Sequence, residues 1–216
     1  MKRYLPFLIV AAVALITVGT GLALYRSQRL PTPAAAKDPG DPGLHVRGDG
    51  KALVVLEEFG DFECPPCAAM SGALHQLEKD HPGKLRIIFR HFPLAMHPHA
   101  REAAIAAEAA HVQGKFWEMH DLLYEKQLTW SKGGDVPSLF QSFASQLGLD
   151  VERFTKDLQS PEIAARVTAD HELGKSRSVT ATPTIFINNV VLPPTSTNPT
   201  GARTAIEAAL KEKSKP

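Results

Sequence analysis

Two apolar, β-branched runs, KALVVLEEF at residues 51–59 and KLRIIFRHF at residues 84–92, flank a stretch whose apolar residues recur at helical spacing. A strand covered on both faces shows as a continuous apolar run rather than as an alternation. Between the runs, Ala68, Met70, Ala73, Leu74 and Leu77 predict a helix from Pro65 to about Lys79, and His81-Pro82-Gly83 ends it. Strand, helix and strand in that order form a βαβ unit with parallel strands, which sets the class as α/β. The only two cysteines of the chain, Cys64 and Cys67, lie where the first strand gives way to the helix, with Pro65 and Pro66 between them.

The rest of the chain divides by pattern. Residues 98–176 are helical in period throughout: an alanine-rich helix from about His99 to Val112, a second around Phe116, Trp117, Leu122 and Leu123, a third with Leu139, Phe140, Phe143 and Leu147, a short one at Phe154, and a last one opened by Ser160 and Pro161. The β pattern returns in ATPTIFINNVVL, where Asn188-Asn189 separate two short runs as in a hairpin. Ala205, Ile206, Ala209 and Leu210 give a terminal helix one apolar face. The expected domain covers residues 51–216 as βαβ, a helical insertion at about 98–176, then ββα.

At the N-terminus, Lys2 and Arg3 precede an uncharged run from Leu5 to Leu24, and Arg26 and Arg29 follow it. About 20 apolar residues span a bilayer as a helix. Ala34–Ala36, the one A-x-A cleavage candidate, lies well past the run, so residues 1–26 are expected to be a transmembrane signal anchor rather than a cleaved signal. The flanking charges do not fix its orientation. Residues 27–50, with four prolines and several glycines, form the expected linker. The formal net charge of +1, from 24 basic and 23 acidic residues, gives no footprint for nucleic acid.

Two thiols this close can hold a metal, form a staple or pass electrons. Structural zinc takes four ligands, commonly as two pairs, and there is no second cysteine pair; His91, His97 and His99, clustered in HFPLAMHPH, could complete a Cys2His2 or copper site, although His97 and His99 lie around a helix start where solvated or capping histidines are usual. A bridge over two residues closes so small a loop that it removes little unfolded-state entropy. The redox reading fits the surroundings best. A cysteine at the start of a helix faces its unpaired N–H groups and positive dipole end, which favours the thiolate. Cys64 occupies that position, and Cys67, one turn in, is placed to attack a mixed disulfide at Cys64. A C-x-x-C beside a βαβ unit is a redox pattern.

ECPPC at a helix start, RHFPL followed by HPHAREAAIAAEAA and GKFWEMHDLLY, and VTATPTIFIN, in that order, resemble the DsbA-like branch of the thioredoxin superfamily over about residues 50–213. The resemblance implies a thioredoxin fold with a helical insertion, Cys64 as nucleophile, Cys67 as resolving thiol and Pro183 as a cis-proline. Thr182 would then offer its backbone to a substrate chain as an added strand; otherwise Thr182 and Pro183 are a turn opening an edge strand. It also implies a buried acid beneath the site, which Glu58 would supply as a proton acceptor for Cys67, the alternative being an acid at a solvated strand end. Glu57 points to the opposite face. Pro65 and Pro66 remove N–H donors from the thiolate, and Glu63 adds a like charge; both act to raise the Cys64 pKa.

The implied activity is extracytoplasmic thiol-disulfide exchange, in the direction of oxidising cysteines of exported proteins, with a membrane reoxidase as partner. No cofactor is required, because the cysteines carry the electrons. A reductase or isomerase using the same residues is the enzymatic alternative, and a metal-binding or chaperone-like module on the same fold the other.

Overall fold

The computed structural model describes residues 45–213. The anchor expected over residues 1–26 lies outside them, as does the linker up to residue 44. Among the described residues no helix is long and apolar enough to cross a membrane.

Five strands build one sheet: β1 (His45–Gly48), β2 (Val54–Gly60), β3 (Leu85–His91), β4 (Thr184–Ile187) and β5 (Val190–Val191), in the order β1-β3-β2-β4-β5. The two apolar runs are β2 and β3, paired in parallel from Val54 opposite Leu85 to Gly60 opposite His91, and the helix between them, α1, spans Pro65–Asp80. β4 lies antiparallel on the other side of β2, with Glu58 opposite Ile185. Asn188 and Asn189 turn the β4–β5 hairpin at φ values of 48° and 67°, the backbone that a two-residue I′ turn demands.

One boundary differs from the sequence reading. Residues 45–48, assigned to the linker, form the edge strand β1, antiparallel to β3. His-Val-Arg-Gly is too short and too polar to show a period of two; what makes it a strand is its pairing with β3.

The insertion comprises α2 (Ala100–His111), α3 (Phe116–Glu125), α4 (Gln127–Trp130), α5 (Val136–Gln146), α6 (Val151–Asp157) and α7 (Pro161–Ser176), and α8 (Pro199–Lys213) closes the described chain. Asp135, Asp150 and Ser160 accept from the N–H three residues on and so cap α5, α6 and α7. The single turn α4 leaves no mark in the sequence pattern, four residues being too few to carry a helical period.

Three apolar clusters result. Val54 and Leu56 of β2 pack with Met70, Leu74 and Leu77 of α1 and with Ile206 and Leu210 of α8. Phe59, on the opposite face of β2, packs with Phe92, Val179 and Phe186. The third cluster is the core of the insertion, with Leu123, Trp130, Phe140 and Phe154, and it takes in Phe62, Cys64 and Cys67. Each fully buried side chain of this size contributes about 1.5–3 kcal/mol. The cysteine pair therefore sits in the seam between sheet and insertion.

Candidate active site

Cys64 is the N-cap of α1, with extended backbone at φ −78° and ψ 118°, and Pro65 and Pro66 are the first two helical residues. Proline is tolerated there because those N–H groups have no intrahelical partner. The first donors of the helix are thus Cys67 and Ala68, whose N–H groups reach the Cys64 carbonyl at 3.1 and 3.3 Å. Both thiols are free; Cys64 keeps 5% of its surface exposed and Cys67 none. The Cys64 thiol lies 3.4 Å from the Thr182 carbonyl, and the Thr182–Pro183 peptide bond is cis.

The two sulfurs titrate in opposite directions. The hydrogen bond from the Cys67 thiol, helped by Thr182 and the Cys67 backbone, outweighs burial and brings Cys64 from 9.0 down to about 6. Burial pushes Cys67 well above the ordinary thiol value, and its bond to Cys64 and the charge of Glu58 add to the push. At neutral pH Cys64 is a thiolate and Cys67 a thiol.

Asp61, fully buried in the turn before Cys64, organises the rim of the site. Its Oδ1 accepts from the Glu63 N–H at 2.7 Å, and its Oδ2 accepts from the Leu94 N–H and meets His97 Nδ1, each at 2.8 Å. Burial lowers the His97 pKa, but the bond to Asp61 and the charges of Asp61, Cys64 and Glu63 raise it by more. The strongest carboxylate repulsion on Cys64 comes from Asp61. Glu63, expected to supply it, turns its carboxylate to the His99 N–H at the start of α2, at 2.7 Å. Gln127 of α4 is buried and donates from Nε2 to the carbonyls of Phe62 and Cys64 at 2.8 and 3.0 Å. Neither Asp61 nor Gln127 was singled out in the sequence; a buried amide in a four-residue helix leaves no pattern.

Beneath the cysteines lies Glu58, 1% exposed. Burial, and then the charge of Cys64, raises its carboxyl from 4.5 to about 8, and its Oε1 has no hydrogen-bond partner. Glu57 faces the other side of the sheet and is paired with Arg90 at 3.0 Å and with Arg177. Of the two adjacent acids, Glu58 is the one whose charge reaches Cys67.

The three histidines of HFPLAMHPH part company. His97 bonds Asp61, and His99 meets Glu102 at 3.2 Å. His91 Nε2 is 3.1 Å from Glu108 Oε1, which also holds His45 Nε2 at 2.6 Å. His45, His91 and Glu108 are the one group among the described residues whose ligand atoms lie close enough to share a cation, within 4.8 Å of one another. Arg166, 3.5 Å from Glu108 Oε2, supplies positive charge there, so the carboxylate is balanced by the protein's own groups.

The sequence model of the family described as Thioredoxin matches residues 41–208. BdbD from Bacillus subtilis, solved in its oxidised form, superposes with a TM-score of 0.69 at 28% identity, covering 78% of this chain and 94% of that one. DsbA2 of Pseudomonas aeruginosa superposes with a TM-score of 0.55 at 29% identity over 66% of this chain and 78% of its own. The chain is a DsbA-like member of the thioredoxin superfamily. Among curated proteins, one named Na(+)/H(+) antiporter NhaA 1 from Mycolicibacterium vanbaalenii is 38% identical over 192 residues, 84% of this chain but 30% of that protein. The DsbA-like chain thus spans less than a third of the length of that relative.

Proposed function

We propose that this DsbA-like protein is a thiol-disulfide oxidoreductase that oxidises cysteines of exported proteins through a Cys64–Cys67 disulfide. The observation that carries the reading is the opposed titration of the two thiols: one is a thiolate at neutral pH and keeps some exposure, the other is a buried thiol. A thiolate is both the attacking species and the better leaving group in exchange. A substrate thiolate attacks Cys64 Sγ, the bond to Cys67 breaks, and a second substrate thiol resolves the mixed disulfide, leaving the enzyme reduced. Thr182, beside Cys64 on the cis-proline loop, is the backbone against which a substrate chain aligns.

A polypeptide substrate is supported by the rim. Met96, 78% exposed, lies in the 94–97 turn that Asp61 ties to the site at both ends, and a flexible thioether adapts to varied apolar partners. The antiporter name belongs to a relative more than three times as long as the shared region and enters the reading nowhere. The reading puts the site outside the cytoplasm, because protein disulfides persist in oxidising compartments, and takes residues 1–26 as its tether and a membrane reoxidase as its partner.

Cysteine variants test the reading. Cys64→Ser abolishes exchange, and Cys67→Ser accumulates mixed disulfides at Cys64 with exported proteins. Exchange that survives Cys64→Ser, or faster alkylation of Cys67 than of Cys64, would reject it.

A further inference from the structure

A buried carboxylate three residues before a reactive thiolate needs a counter-charge. The Asp61 side chain has no exposed surface, so solvent does not screen it, and an unpaired charge in such a place is costly. Its carbonyl accepts from the Cys64 N–H at 3.1 Å, which ties the two residues into one turn. Two of its carboxylate contacts are the backbone N–H groups of Glu63 and Leu94. The third, His97 Nδ1 at 2.8 Å, is its one ion-pair partner among the described residues.

The chain holds His97 at this spot firmly. Pro93 and Pro98 bound the segment Leu94–His97, so residues of fixed φ stand on both sides of the turn. The His97 N–H closes it on the Leu94 carbonyl at 3.0 Å, and the Leu94 N–H and the His97 ring share one oxygen of Asp61. The ring keeps 19% of its surface exposed, which leaves it within reach of solvent protons. Pro65 and Pro66, between the cysteines, carry no charge, and His99 is turned to Glu102 of α2. Of the groups about the sulfur, His97 is the one that can bring positive charge to the Asp61 turn.

We propose that His97 is the positioning residue that sets how oxidising the Cys64–Cys67 disulfide is, its imidazolium cancelling the Asp61 charge that would otherwise stand alone beside the Cys64 thiolate. The proposal rests on the oxidoreductase reading and deepens it. His97 makes and breaks no bond in the exchange. In the reduced protein its positive charge faces two anions, Asp61 and the Cys64 thiolate; in the disulfide it faces Asp61 without the thiolate. The protonated ring therefore favours the reduced form, and the disulfide is the stronger oxidant for it. Once the ring loses its proton, the Asp61 charge is uncovered, the thiolate is disfavoured and the oxidising power falls. The coupling is reciprocal: the thiolate that His97 favours also holds the proton on His97, and Cys64 is among the charges that raise its pKa. The other charged groups on the ring are Asp61 and Glu63, from the turn after β2. On its own segment His99 is paired with Glu102. From α7, His171 stacks on Phe92 and meets Glu172 at 3.7 Å, and the loop at Thr182 and Pro183 brings no charge.

Two substitutions separate charge from shape in the full-length chain: His97→Gln keeps a hydrogen-bonding side chain without charge, and His97→Lys keeps a charge that does not titrate in the neutral range. Each is followed by Cys64 alkylation against pH and by equilibration with glutathione. His97→Gln should raise the Cys64 pKa by about one unit and make the disulfide about fivefold harder to reduce at pH 7. His97→Lys should restore both. The gap between wild type and His97→Gln should close as pH rises and the ring loses its proton, whereas the gap between His97→Lys and His97→Gln should persist. Should the Gln variant fold poorly, the His97 ring titration of the wild type, followed by NMR, gives the same answer: its midpoint should lie higher in the reduced than in the oxidised protein. Equal midpoints, a Gln variant like wild type, or a Lys variant like Gln would overturn the role of His97 while wild-type exchange continued. A wild type that forms no exchangeable disulfide would overturn the oxidoreductase reading, and this role with it.

Discussion

Pro65 and Pro66 withhold the two N–H groups that most helix starts would turn towards a thiolate, yet Cys64 is lowered to about 6. The donors come instead from Cys67, through its thiol and its N–H. Pro66 is exposed, so Pro66→His should be accommodated; restoring a donor there lowers the Cys64 pKa further and makes the disulfide more oxidising, as alkylation against pH and a glutathione titration would show. Cys64 and Glu58 then give the reduced protein opposed pH dependences. The Cys64 pKa is depressed on folding, so its contribution is full above about 9 and is lost as pH falls through about 6. The Glu58 pKa is raised on folding, so its contribution is full below about 4.5 and is lost as pH rises through about 8. Glu58→Gln should remove the second dependence and stabilise the reduced protein at neutral pH by roughly 3 kcal/mol, measured by urea unfolding at several pH values; equal slopes in both proteins would refute the assignment. Cys64 and Cys67 were legible because two thiols three positions apart at a helix start are a local pattern. Asp61 and Gln127 were not, since what they do is set by contacts with parts of the chain far away in sequence.

At the scale of elements, the order βαβ, helical block, ββα was legible because β2, β3 and α1 bury nearly all of one face or both, and burial is what periodicity records. β1 and α4 were hidden for the same reason: each is a single short segment stabilised by its neighbours. α4 still matters to the site. Its Gln127 is the tie between the insertion and the carbonyls of Phe62 and Cys64. Gln127→Ala leaves a cavity and an unpaired Phe62 carbonyl, a loss of about 1–3 kcal/mol that thermal unfolding of the reduced protein would report, together with faster alkylation of Cys64 as its turn loosens. An unchanged melting temperature would mean that α4 merely lies against the site.

Across the described residues as a whole, the insertion and the sheet share one core at the cysteines, and the buried His45–Glu108–His91 cluster joins β1, β3 and α2. On the rim of this seam Met96 stands 78% exposed. Met96→Glu should weaken oxidation of a reduced, unfolded protein severalfold through KM while leaving the reaction with dithiothreitol unchanged, because only the larger substrate reaches the rim; equal loss with both would remove Met96 from substrate contact. The claim on which all of this depends is that Cys64 and Cys67 form one exchangeable disulfide. Equilibration of the full-length chain with glutathione buffers, read by counting free thiols, tests it most directly. A single two-electron transition is expected, with a potential between about −120 mV and about −270 mV, the values for DsbA and thioredoxin, and it should vanish in Cys64→Ser. Two thiols that oxidise independently, without an internal disulfide, would contradict the account.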